Sequence, residues 1–289
     1  MFGERVVDCQ HQRLTMSLCH EDGPFDIIGD IHGCYDELVD LLARLGYLKN
    51  NSSTEPVSAF HPQRRRAVFL GDLVNRGPKI PQVLKLVMSM VDDGLAICVP
   101  GNHDINLLQR LQGQQVKAAR GLTNSLEQLA RESKEFQLNV TSFISSLVSH
   151  YLLDGGRLVV VHAGLSEEMH GCDSSAVLAF ALFGEIVNGT DHHGHPAHHI
   201  WAPREYRGRA MVVYGHTPVR EPKWLNRTIN IDTGCVFGGR LTALRYPEQE
   251  LISIAARRAY AIPVQPLANW EGRSDVATHC RARNLTDRD

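Results

Sequence analysis

The sequence predicts a layered α/β fold. Three observations carry this: short apolar runs stopped by glycine, helix-period segments that follow them, and recurrence of the pair with no Pro/Ser/Gly-rich linker dividing the 289 residues. One domain is expected over residues 24–263, with 1–23 as an N-terminal arm and 264–289 as a tail, because neither end shows periodicity.

FDIIG (25–29) reads as the first strand. In the YDELVDLLARLGY that follows, Leu38, Leu41, Leu42 and Leu45 share one helical face. RAVFLG (66–71) and IPQVLKLVMSMV (80–91) repeat strand, loop and helix, and Pro81 is tolerated in a first turn. LAICVPGNHD (95–104) is a third strand running into a loop. Residues 105–156 break the alternation. Leu122, Leu126 and Leu129 lie on one face, and FQLNVTSFISSLVSHYLL reads as a longer amphipathic stretch, so a helical insertion is predicted there. Strands resume at RLVVVHAG (157–164), AMVVYGH (210–216), TINIDTG (228–234), RLTALRY (240–246) and ELISIA (250–255), the last few close enough to be antiparallel neighbours.

Composition narrows the partners. A formal charge of -2, from 30 basic and 32 acidic residues, supplies no global field for duplex nucleic acid or an anionic membrane, so any anionic substrate must be captured locally. No apolar run approaches the roughly 20 residues of a membrane span, and the start lacks the apolar core of a signal peptide. The seven cysteines are scattered without a CxxC pair, which reads as reduced thiols in a cytoplasmic protein. Cys34 and Cys98 are expected to be small buried packing residues. RRR (64–66) reads as a solvated approach to a strand, and DHHGHPAHH (191–199) as a solvated loop.

Chemistry gathers at the predicted strand ends. GDIHG delivers Asp30 and His32, GDLVNRG delivers Asp72, GNHD delivers Asn102 and His103, VVHAG delivers His162, and YGHTP delivers His216. Ligands of open α/β sheets bind at one end of the strands, so these residues can converge despite their separation. Carboxylates, an amide oxygen and imidazoles form a mixed O/N set that suits manganese, iron or zinc better than calcium and needs no thiolate. If Asp72 bridges two divalent ions, the site stays cationic, holds phosphate oxygens and makes hydroxide available near neutral pH. Arg76 offers a planar fork for two phosphate oxygens. His103 is the candidate general acid for the leaving group, which requires the imidazolium. Asp232, in NIDTG, reads as a strand-end carboxylate supporting His216.

GDIHG, GDLVNRGP, GNHD, VVHAG and YGHTP, in this order and spacing, resemble the signature blocks of the calcineurin-like metallophosphoesterases, in their phosphoprotein phosphatase branch. The run VVYGHTPVREPKWLNRTINIDTGCVFGGRLTALRYPE is similar to bacterial PrpE-type diadenosine tetraphosphatases and to the phosphatase module of bacterial polynucleotide kinase-phosphatase. The resemblance implies a four-layered α/β/β/α sandwich with a two-metal site at its edge. It implies one metal, manganese before iron, zinc or nickel, on Asp30, His32 and Asp72, and a second on Asp72, Asn102, His162 and His216. Arg76 would grip phosphate and His103 would serve the leaving group. Two positions depart from the family pattern. Asn75 stands where an aspartate usually orients and charges the histidine, and Asp104 stands where many relatives have glutamate, a change expected to move one supporting hydrogen bond.

The functional expectation is a two-metal phosphohydrolase of the bis(5'-nucleosyl)-tetraphosphatase type acting on a dinucleoside polyphosphate. Alternatives are an RNA-end 2'-phosphatase or 2',3'-cyclic phosphodiesterase, a serine/threonine phosphoprotein phosphatase, and, in another class, a metal- or nucleotide-binding relative weakened by Asn75.

Overall fold

The computed structural model describes residues 17, 18, 20–50, 58–115, 121–190, 196–199 and 206–263. The arm before residue 17 and the tail after 263 lie outside them.

Two sheets form the interior. One has the order β15 (Glu250–Ala255), β14 (Arg240–Tyr246), β2 (Phe25–Ile28), β5 (Arg66–Phe69), β6 (Ala96–Cys98). The other has the order β1 (Ser17–Leu18), β7 (His150–Leu153), β8 (Leu158–Val161), β11 (Met211–Tyr214), β13 (Thr228–Asn230), β12 (Trp224–Leu225). Strand alternation explains why they stack. Phe25, Ile27, Val68, Leu70, Ile97 and Leu244 of the first sheet pack against Leu158, Val160, Met211, Val213 and Ile229 of the second. Intervening residues face outward onto helices, so both strand faces are apolar.

On the first sheet's outer face, Ile28, Ala67, Phe69 and Cys98 meet Leu38 and Leu41 of α1 (Tyr35–Leu45) and Ile80, Val83 and Val87 of α2 (Ile80–Asp92). α3 (Asn102–Leu111), α4 (Leu122–Leu129) and α5 (Lys134–Ser146) add Leu107, Leu122, Leu129, Val140 and Phe143 to that cluster. Val159, Val161, Val212 and Tyr214 on the second sheet's outer face meet Val177 and Ala181 of α6 (Ser175–Phe183). The layers run α/β/β/α, as expected.

Four sequence expectations are corrected. The helical insertion ends earlier than residue 156: Leu147 turns extended after Ser146, and His150–Leu153 pairs antiparallel with β8. The apolar run Tyr151–Leu153 fits either period, and the β8 ladder satisfies its backbone. RLTALRY and ELISIA are antiparallel neighbours as expected, but TINIDTG is not an antiparallel neighbour of RLTALRY: β13 is parallel to β11 in the other sheet, and the two segments meet only at the parallel bridge Gly234–Arg240. Ser17–Leu18, assigned to the arm, pairs with β7. Within the histidine-rich run, residues 191–195 lie outside the described set, and Pro196–His199 is strand β10, antiparallel to β9 (Glu185–Thr190), rather than loop.

RRR is solvated only in part: Arg64 is exposed and Arg66 half-buried. Arg65 is buried: Nε donates to Asp26 Oδ1 (2.9 Å), Nη1 to Glu248 Oε1 (2.8 Å) and Nη2 to the Phe25 carbonyl (2.8 Å). Arg66 pairs with Glu21. Arg65 is an internal tie between β2 and the turn joining β14 to β15, which removes it from any role in nucleic-acid contact.

Buried His150 gives a stability prediction. Its Nε2 accepts from Gly171 N (2.8 Å) and its Nδ1 lies 3.0 Å from Ser149 Oγ. Burial, then the nearby His170, pushes its pKa down to about 4. The folded protein refuses a proton that the unfolded chain takes below about 6.5, so this contribution is intact above pH 6.5 and is lost as pH falls through about 4. His150→Gln is expected to remove about 3 kcal/mol of the stability difference between pH 7 and pH 4. Urea unfolding at the two pH values checks this, and an unchanged slope would refute it.

Candidate metal and phosphate site

The strands that carry the site run in two parallel sets, β2, β5 and β6 in one sheet and β8, β11 and β13 in the other. Each leads at its carboxyl end into a residue singled out from the sequence. The backbone is forced into shape here: His32, Asp72, Asn75, Arg76 and His216 all have positive φ, between 46° and 72°. Such conformations cost on the order of 1–3 kcal/mol each and persist where surrounding structure holds them. Gly101 and Gly215 leave room for the carboxylates, since a Cβ at either would strike Asp72 Oδ1 or Asp30 Oδ1.

The ligand candidates converge in two groups that share Asp72. His32, Asp72 and His103 bring ligand atoms within 4.8 Å of one another, and so do Asp72, His162 and His216. His32 Nε2 lies 3.4 Å from Asp72 Oδ2, and His162 Nε2 lies 3.6 Å from Asp72 Oδ1. Asn102 Oδ1, His162 Nε2 and His216 Nδ1 are mutually 3.1 Å apart. Asp30 is adjacent, both oxygens accepting from His216 N at 3.2–3.3 Å.

The donor set fits divalent cations. His32 Nδ1 bonds the Val74 carbonyl and His162 Nδ1 the Leu70 carbonyl, both at 2.8 Å. A carbonyl can only accept, so each Nδ1 carries the proton and each Nε2 turns a lone pair inward. Three buried carboxylates crowd one place. Burial, then Asp232 and Asp72, raises Asp30 well above the carboxylate range. Burial lifts Asp72 and Asp232 to about 7 each. His162 is pushed down to about 4 by burial, and burial with the Arg76 charge holds His32 well below its ordinary value. Neutral imidazoles stand beside carboxylates too crowded to ionise together unaided, a set that a divalent cation would let ionise fully.

Arg76 and His103 lie against each other. Arg76 Nη1 lies 2.6 Å from His32 Nε2 and Nη2 lies 2.8 Å from His103 Nε2, with the guanidinium 5.2 Å from the Phe237 ring centroid. Its fork therefore rests on the imidazoles, and holding phosphate requires it to swing away from His32. Burial, then Arg76, His162 and His216, pushes the His103 pKa down to about 2 while Arg76 rests against it. Asp104 does not reach the cluster. It caps α3, with Oδ2 accepting from Gly101 N (2.9 Å) and Oδ1 from Leu73 N (3.0 Å), and so fixes the loop that presents Asp72. Asp232 Oδ1 accepts from Gly234 N (3.0 Å), and its charge acts on Asp30.

Sequence reasoning missed the polar residues of α4. Asn124 Nδ2 and Gln128 Nε2 both donate to the Gly77 carbonyl at 3.0 Å, Gln128 Oε1 accepts from Ile80 N (2.9 Å), and Ser125 contacts Asn75. These polar residues lie among the leucines of an amphipathic helix, where nothing in a single sequence separates a loop clamp from a solvated face. Cys34, Glu37 and Cys235 make a further buried group. There Glu37 Oε1 accepts from Arg257 N (3.0 Å) and the Tyr260 hydroxyl (2.7 Å), and the thiols fill core beside α1.

Comparison with known proteins agrees with this geometry. Residues 23–249 match the calcineurin-like phosphoesterase family. The chain is 41% identical over 240 residues to bis(5'-nucleosyl)-tetraphosphatase PrpE [asymmetrical] of Anoxybacillus flavithermus, covering 82% of this chain and 96% of that protein. Identity to the Bacillus subtilis protein of that name is 42%, with the same coverage. A crystal structure provisionally assigned as a diadenosine tetraphosphatase superposes with a TM-score of 0.59 at 28% identity, over 83% of this chain and 97% of that one.

Proposed function

The chain belongs to the calcineurin-like phosphoesterase family and is a hydrolase of phosphoester or phosphoanhydride bonds, and from that premise we propose that it cleaves bis(5'-nucleosyl) tetraphosphates. The observation that carries the substrate is similarity running over 96% of relatives that bear that name. The O/N donor set suits manganese first, with iron, zinc or nickel as substitutes. Asp30, His32 and Asp72 would hold one ion, and Asp72, Asn102, His162 and His216 the other. When bound, the pair neutralises phosphate charge and makes water acidic enough to attack near neutral pH.

The chain's own residues do the rest. Arg76 turns from the imidazoles to two phosphate oxygens. Once Arg76 turns to phosphate its charge no longer opposes protonation of His103, whose imidazolium gives the Nε2 proton to the departing oxygen and returns to the neutral ring. Asn75 holds the other side of that ring. Among the described residues no helix is long and apolar enough to cross a membrane, so nothing there ties the substrate to a bilayer.

The test is a panel of diadenosine tetraphosphate, RNA with 2'-phosphate or 2',3'-cyclic ends, and phosphopeptides, with manganese-loaded protein. The dinucleotide is expected to show the highest kcat/KM. Faster turnover of either other class would replace the proposed substrate, and no turnover of any would leave a binding protein. His103→Ala is expected to lower kcat by about 10²- to 10⁴-fold on alkyl phosphates and much less on a nitrophenyl ester, whose leaving group needs no proton. Equal losses on both would remove His103 as the acid.

A further inference from the structure

Metal ions and the Arg76 fork read phosphate and would treat its carriers alike, so whatever the phosphate is attached to must be read by groups beside them. Phe237 stands at that place. Its ring centroid lies 5.2 Å from the Arg76 guanidinium carbon, and the residue packs against the core cluster around α1 while staying half-exposed. The turn that carries it starts just past Asp232 and is tightly tied. Phe237 N and Gly239 N donate to the Gly234 carbonyl (2.9 and 3.0 Å), and Gly238 N donates to the Cys235 carbonyl (3.0 Å). The segment after β15 straps the same turn down: Tyr260 N and Ala261 N donate to the Val236 carbonyl (2.9 and 3.0 Å), and Ala256 N to the Gly239 carbonyl (2.9 Å). That strap is itself anchored on α1 through Glu37 Oε1, which accepts from Arg257 N and the Tyr260 hydroxyl. Gly238, at φ +89°, leaves room for it, since a Cβ there would come to 3.2 Å from Ala259 Cβ. A half-exposed ring fixed in this way loses little freedom on meeting a ligand.

We propose that Phe237 is a specificity-determining residue that stacks on the nucleobase joined, through one ribose, to the phosphate that Arg76 grips. The inference rests on the reading of the chain as a nucleotide hydrolase. Core packing accounts for the buried part of the ring, and Arg76 covers the rest only while its fork lies on the imidazoles. Turning to phosphate, the guanidinium uncovers the ring beside the point where the ester chain leaves the phosphate. Guanidinium on phosphate and phenyl on base are then neighbouring contacts to one nucleotide. Every base has a π-face, so the ring favours nucleotides over other phosphates without choosing among bases.

AMP and ribose 5-phosphate differ only in the base, and competition against nitrophenyl phosphate turnover by the manganese-loaded full chain reads the affinity of each. AMP is expected to bind about tenfold more tightly, in line with one base stacked on an aromatic side chain, and GMP similarly. Phe237→Ala should abolish the difference by weakening AMP alone. Phe237→Leu, which refills the core without a π-face, should do the same, and Phe237→Trp should keep the preference. An equal loss for both ligands in Phe237→Ala would make the ring a prop for Arg76, and a full preference in Phe237→Leu would make it a packing residue; either overturns the proposal. Equal binding of the two ligands to the native chain, with diadenosine tetraphosphate still the preferred substrate, would sink the stacking inference and leave the substrate reading standing. If a phosphopeptide is turned over fastest, the substrate reading fails first and the inference with it.

Discussion

Asp72→Ala is expected to abolish turnover and to strip metal from the protein. Asp72 is the one residue common to both groups of candidate ligands, with one oxygen toward His32 and the other toward His162. Its Oδ1 also accepts from His103 N at 3.0 Å, so the carboxylate orients the start of α3 as well as any ion beside it. Several kcal/mol of transition-state stabilisation reside in such ions, and each 1.36 kcal/mol is tenfold in rate. A loss of roughly 10³-fold or more in kcat/KM follows. Metal content after dialysis should fall together with activity. A variant that retains two ions per chain would show that Asp72 is not shared, and one that retains activity would remove it from the reaction. Asp72→Asn is the companion test, since the amide keeps the shape and one acceptor oxygen while losing the charge.

Arg65→Ala is expected to cost about 3–5 kcal/mol of stability, because it leaves a buried carboxylate without its main counter-charge. Asp26 is fully buried on β2, its Oδ2 has no hydrogen-bond partner, and Arg245 Nε is a more distant cation at 3.5 Å. Burial raises the Asp26 carboxyl even with Arg65 opposing it, so the charge is already expensive to keep. For a chain of this size the loss corresponds to a fall in Tm of roughly 10 °C. Arg65→Lys should recover little, since one ammonium cannot reach Asp26, Glu248 and the Phe25 carbonyl together. Adding Asp26→Asn to Arg65→Ala should recover much of the loss. A melting shift below about 2 °C for Arg65→Ala would mean that water or Arg245 replaces the pair.

The layered fold and the strand-end positions of the metal-ligand candidates were legible in the sequence, for a physical reason. Apolar alternation on both faces of β2, β5, β8 and β11 is a local property of the chain, and so is the glycine that ends each run. Asp30, His32, Asp72, Asn102, His162 and His216 all lie directly past such ends, where topology can bring them together. Less legible was what depends on partners distant in sequence. Arg65 reads as one charge in an exposed triplet until β2 and β14 are seen to surround it. SHYLL reads as helix until β8 offers its backbone a ladder. Asp104 reads as the source of a supporting hydrogen bond, but its partners, Gly101 N and Leu73 N, are seen only in the fold.

Asn75 divides the two kinds of knowledge most sharply. The chain alone, set beside its family pattern, determined that an amide stands at position 75 where an aspartate is usual. Only the tertiary structure decided what stands behind the amide. Ser125 lies 50 positions away, on a helix whose pattern speaks of packing alone, and it reaches Asn75 because α4 folds back over the loop at Gly77. Hydrogen-bond direction depends on which atom faces which, and that is fixed by the approach of two distant segments rather than by either segment's composition.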